Sequence, residues 1–137
     1  MNQPLTFQVT LSDSYEIAVE KVTTGLKTEG FGVLTRIDVK DTLREQLDAD
    51  FRPYVILGAC NPPLAHLALQ SEPLVGLLLP CNVNVEEIDD GSLISIINPE
   101  AMLNLKPLSE NQDIREVATQ ARSRLEHVVL SLKNGKS

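Results

Sequence analysis

Each of the two cysteines in this 137-residue chain is followed by an asparagine, in Ala59-Cys60-Asn61-Pro62 and in Pro80-Cys81-Asn82-Val83. Between Pro53 and Val85, the window that holds both pairs, Glu72 is the one formally charged side chain, and His66 lies between the pairs. Three chemistries fit these residue types. Unpaired cysteines in a reducing compartment are commonly small buried hydrophobes. A thiol at the start of a helix, facing free amide groups and the positive end of the dipole, is instead a candidate nucleophile or one half of a redox pair. Two thiols with His66 and Glu72 are a conceivable soft-metal set, although the paired CxxC spacing of zinc knuckles is absent and no particular metal or cofactor is specified. Burial raises a cysteine pKa and a helix N-terminus lowers it, so reactivity turns on exposure. On that argument Cys60 should be the more reactive thiol, opening on a cleft, and Cys81 the slower one. Glu72, as a lone charge, is either a perturbed acid or base or a residue reaching solvent near a helix end. His66 is expected to be a partly buried structural histidine, and His127 an exposed one without a role.

These residues need elements to position them. Leu5, Phe7, Val9 and Leu11 alternate with polar residues, the period-2 pattern of a first strand. Ser12 or Ser14 can cap a helix with apolar positions Tyr15, Ala18, Val19, Val22 and Leu26, which Gly30 ends. A second strand follows over Phe31 to Ile37, joined to the first by a crossover or an antiparallel return. Asp38 to Asp50, rich in acids, suits a short solvated surface helix. The unbroken apolar run Tyr54 to Cys60 predicts a central strand covered on both faces. Asn61 as N-cap and Pro62 at the first helical position open a helix over Leu64 to Gln70, which Pro73 stops. Val75 to Val85 reads as a further buried strand, kinked at Pro80. Asp89-Asp90-Gly91 is a hairpin turn that returns the chain through Leu93 to Ile97. Ser109 with Gln112 resembles a capping box, and Ile114, Val117, Ala118, Ala121, Leu125, Val128, Val129 and Leu132 keep helical spacing until Asn134-Gly135.

Composition bounds the function. The length suits one compact domain over residues 1–137, and 42% hydrophobic residues supply a core. Nineteen acidic residues against twelve basic ones leave a net charge of −7, so there is no basic footprint for nucleic acid or an anionic membrane. Aromatics, at 4%, are too few for a base-stacking surface. No apolar stretch approaches the roughly 20 residues that span a bilayer, and residues 1–11 lack the pattern of a signal peptide. The expected setting is cytoplasmic. Lipase-type serine elbows, phosphate-binding loops, dinucleotide fingerprints and HExxH motifs are all missing.

Taken together, Gly30-Phe31-Gly32-Val33-Leu34-Thr35, Ile37-Asp38-Val39, Leu57-Gly58-Ala59-Cys60-Asn61-Pro62, Glu72-Pro73 and Gly76-Leu77-Leu78-Leu79-Pro80-Cys81-Asn82-Val83 resemble the domain of unknown function 302 family across nearly the whole chain. The resemblance implies an α+β fold, a curved antiparallel sheet with a long C-terminal helix of the TATA-binding-protein-like class, commonly a homodimer. It implies neither DNA binding nor any reaction. The leading functional expectation is a binding module for a small apolar molecule or metabolite, in an apolar pocket rimmed by Cys60, Asn61, His66, Glu72, Cys81 and Asn82. The alternatives are a thiol redox or soft-metal-handling protein using Cys60 and Cys81, and a structural or regulatory homodimer.

Overall fold

The computed structural model describes residues 3–135, so the ends of the expected 1–137 span lie outside it. Five strands form one antiparallel sheet: β1 (Thr6–Leu11), β2 (Gly32–Asp38), β3 (Tyr54–Cys60), β4 (Cys81–Ile88) and β5 (Gly91–Ile97). Their spatial order is β1-β5-β4-β3-β2. The first two strands therefore occupy opposite edges, and α1 (Tyr15–Thr28) spans the sheet between them. The choice left open by spacing resolves as this crossover. The remaining helices are α2 (Val39–Leu47), α3 (Pro62–Ser71), the one-turn α4 (Pro99–Met102) and α5 (Gln112–Lys133).

Register explains the core. Val55, Leu57 and Ala59 of β3 stand opposite Val85, Val83 and Cys81 of β4, and Val83 and Val85 stand opposite Ile96 and Ile94 of β5. These inward positions are buried, together with Ala18, Val22 and Leu26 of α1 and Ile114, Leu125 and Val128 of α5. Each such aliphatic side chain removed from water contributes roughly 1.5–3 kcal/mol before entropy is counted. The α5 stripe is buried at every position the periodicity predicts.

Four expectations need correction. Tyr54–Cys60 is an interior strand, but the centre of the sheet is β4. Tyr54, Ile56 and Cys60 are not buried, because the helices pack on the side of the sheet that β3 offers through Val55, Leu57 and Ala59. The long strand expected over Val75 to Val85 is two elements, a 3-10 helix (Pro73–Leu78) and β4, which begins at Cys81. Local capping decides this: the Glu72 carboxylate accepts from Leu74 N at 3.0 Å and the Glu72 carbonyl from Val75 N at 3.0 Å. Pro80, with no N–H to donate, precedes the ladder instead of kinking it. The capping box is also displaced, since Asn111 caps α5 by accepting from Ile114 N at 3.1 Å, while Ser109 sits in a short 3-10 turn (Leu108–Glu110).

The remaining punctuation follows the sequence. Ser14 caps α1, Gly30 follows its end with φ +84°, and Asp89-Asp90 link Ile88 to Gly91 in a two-residue hairpin. In β2 the register shifts between Val33 and Thr35. Leu34, the residue between them, is 67% exposed. Among the described residues no helix is long and apolar enough to cross a membrane.

Candidate functional site

β3 and β4 are antiparallel, so the end of one and the start of the other meet at the same margin of the sheet. There Ala59 lies opposite Cys81. Beside this margin, α3, the 3-10 helix and α5 enclose a cleft of about 240 Å³. Phe31, Leu64, Val75, Met102 and Val117 contribute to apolar walls, and Cys60, Asn61 and Cys81 border it as well. The nearly uncharged window of the sequence thus becomes one side of a concave apolar site.

The expected rim is only half assembled. Cys60, Asn61 and Cys81 converge on the cleft; His66, Glu72 and Asn82 do not line it. His66 is exposed on α3 instead of partly buried, because the buried face of that helix belongs to Leu64 and Ala68. Glu72 is occupied as the cap of the 3-10 helix. Asn82 follows Cys81 on β4 and alternation turns it to the opposite face of the sheet, where it is exposed. Among the described residues no group of three or more His, Cys, Asp or Glu side chains could hold a metal ion, so His66 and Glu72 do not complete a metal set with the thiols. His127 is exposed, as expected, with Nδ1 3.3 Å from Glu29 Oε1.

Both cysteines are free thiols. Cys81 is opposite Ala59, one register step from Cys60, and strand alternation starts the two side chains from opposite faces of the pleat. The thiols border one cleft without being a directly opposed pair. Burial pushes the Cys60 thiol above its ordinary pKa. Cys81 is buried more deeply and its pKa is raised to about 11, mainly by desolvation and further by the proximity of Cys60. A helix start beside a thiol would act in the other direction, but this one has little to offer. Pro62 and Pro63 have no N–H, Leu64 N donates to Asn61 Oδ1 at 3.2 Å, and Ala65 N to the Asn61 carbonyl at 2.9 Å. The Pro-Pro pair after Asn61 was the signal in the sequence that this helix end is closed to an anion at its own amides.

Sequence reasoning missed the far wall. Phe31, Met102 and Val117 come from distant segments, and only tertiary packing brings them to the two cysteines. It also missed Gly58. A Cβ on that residue would stand 2.7 Å from Pro80 Cγ and would collide with the Thr35 hydroxyl. Glycine is required there for the chain to pass close under Pro80 at the cleft margin.

Comparison with known proteins agrees with this architecture. No curated protein matches the chain. A crystal structure described as that of an uncharacterized conserved protein DUF302 from Bacillus stearothermophilus is similar, with a TM-score of 0.81 and 30% sequence identity over 92% of this chain and 96% of that one. The profile of the family described as "Domain of unknown function DUF302" matches residues 7–132. With a profile that spans four strands whole, all but the first residue of β1 and nearly all of α5, and a related crystal structure of the same fold, the chain belongs to the DUF302 family.

Proposed function

We propose that the cleft between α3, α5 and the β3–β4 margin binds a small apolar molecule. The observation that carries this reading is a concavity of about 240 Å³ whose walls are almost entirely apolar, with Asn61 and two thiols as its polar features. An apolar cavity of about 150 Å³ already holds benzene, so this volume suits a somewhat larger body. Few polar groups on a mostly apolar wall is the usual composition of a ligand site. The test is protein-observed NMR during a titration with naphthalene. Shifts grouped on Phe31, Met102 and Val117, and lost in Ala65→Phe, which fills the cleft, support the reading. No shifts, or shifts that Ala65→Phe leaves in place, overturn it.

A second reading is favoured by a different observation. The sheet face opposite the helices carries Ile56, Leu93 and Ile97 with Gln8, Ser95 and Asn84, none of them buried. Glu86 is its charged member and is paired with Arg52 at 2.7 Å. Five strands about 4.8 Å apart and about six residues long give a face of roughly 24 by 20 Å. Two such faces stacked would bury on the order of 1,000 Å² or more, the threshold for a specific interface. The occupant this suits is a second copy of the chain, since a face whose one acid is neutralised by an ion pair is what two molecules of net charge −7 would have to bring together. Light scattering that reports a dimer for the native chain and a monomer for Ile56→Lys supports this reading, and a monomeric native chain overturns it.

A further inference from the structure

The described residues hold three sulfur atoms, those of Cys60, Cys81 and Met102. All three side chains belong to residues that border the cleft, although they come from the end of β3, the start of β4 and the one-turn α4. Cys60 and Met102 are half-buried and Cys81 is buried. Phe31 is the aromatic member of the same wall, and it is not part of the ring pair among the described residues, which is Phe51 with Tyr54. Polarisable sulfur attracts an aromatic ring beyond what burial alone supplies, and so does another ring. A saturated body of the same size gains from burial only.

The cleft is also uncharged. Among the described residues no Asp, Glu, Lys, Arg or His borders it. Burial holds both thiols above their ordinary pKa, Cys81 at about 11, so neither supplies a thiolate at neutral pH. A charged ligand seated there would give up its water and find no counter-charge. The mouth is apolar too, since Leu34 and Leu69 border the cleft and are 67% and 41% exposed. Room for a ring comes from small side chains, Ala65 and Ala68 of α3 and Ala121 of α5, on two helices that pack together.

We propose that the cleft's ligand is an uncharged aromatic molecule, its ring held among Phe31 and the sulfurs of Cys60, Cys81 and Met102. This rests on the cleft being a binding site, and it adds the ligand's chemical class, aromatic over saturated and neutral over ionised. The thiols act as soft packing groups, and no bond to sulfur forms.

The experiment is a protein-observed NMR titration of the native chain with 2-phenylethanol, 2-cyclohexylethanol and phenylacetate, three molecules of similar size. Burial alone makes the cyclohexyl compound bind at least as tightly, because its ring is the more apolar. A preference for phenyl therefore reports the sulfur and ring contacts. The expected Kd for 2-phenylethanol is about fivefold or more below that for 2-cyclohexylethanol, and about tenfold or more below that for phenylacetate. Met102→Leu, which keeps the volume, and Cys60→Ala should each narrow the phenyl preference by about twofold or more. Equal binding of the phenyl and cyclohexyl alcohols, phenylacetate binding as tightly as 2-phenylethanol, or a preference that both variants leave in place overturns the aromatic assignment and leaves the cleft reading standing. Binding of none of the three overturns both.

Discussion

Gly58 of β3 lies directly under Pro80, so close that a Cβ on the glycine would stand 2.7 Å from the proline Cγ. The proline ring is stiff and Cys81, the next residue, opens β4 opposite Ala59. Pressure at Gly58 is thus transmitted to the margin that carries the cleft. We expect Gly58→Ala to destabilise the fold by about 1–3 kcal/mol, the usual cost of forcing extra volume into a packed site. Urea unfolding would measure it. Adding Thr35→Ala should restore only part of the loss, because the hydroxyl clash is removed and the Pro80 clash is not.

The two thiols should differ in rate. Cys60 is half-buried and Cys81 buried, and only the thiolate attacks iodoacetamide. At pH 8 in the native protein, mass spectrometry of digested samples should find label on Cys60 well before Cys81. Because burial raises both pKa values, even Cys60 should label more slowly than a free cysteine. Equal labelling of the two sites in the folded chain would contradict the burial assigned to Cys81.

Cys81 also predicts an alkaline loss of stability. Its folded pKa is about 11 against an ordinary value of 9.0. The neutral thiol is favoured by the fold, so its contribution is complete below pH 9 and declines as the pH rises through 11, by up to roughly 2–3 kcal/mol. Denaturation midpoints of Cys81→Ala should fall less steeply than those of the native chain between pH 9 and 11. Parallel curves would assign the alkaline decline to other groups.

Asn61 caps α3 from a nearly buried position. Asn61→Ala removes the oxygen that satisfies Leu64 N and should cost about 1–2 kcal/mol, near the upper end for a buried cap. Asn61→Asp preserves an acceptor in the same place but puts a carboxylate at a position only 7% exposed, beside two prolines that offer no N–H, so at neutral pH it should also be less stable than the native protein. Thermal unfolding of the three proteins side by side tests the ranking.

Much of this protein was decided locally and could be read residue by residue. The strands of β1, β3 and β5, the caps at Ser14 and Asn61, the Asp89-Asp90 hairpin and the buried stripe of α5 follow from side-chain period and backbone chemistry, which act over a few neighbours. The Val75 segment misled because a short apolar run has no period of its own. The Glu72 carboxylate and carbonyl tipped it into a 3-10 turn. The two Cys-Asn pairs were visible as a candidate site, and the sequence located Cys60 at the end of β3, whereas Cys81, expected inside a strand kinked at Pro80, opens β4. Whether the six candidate residues would meet was beyond local rules. Alternation across the β4 pleat sends Asn82 away from Cys81, and the buried face of α3 leaves His66 in solvent. The far wall of the cleft exists only because α1 crosses the sheet and α5 packs beside α3. Such contacts join residues far apart in the chain, and their free energy comes from burying faces together, not from any property the separate segments possess.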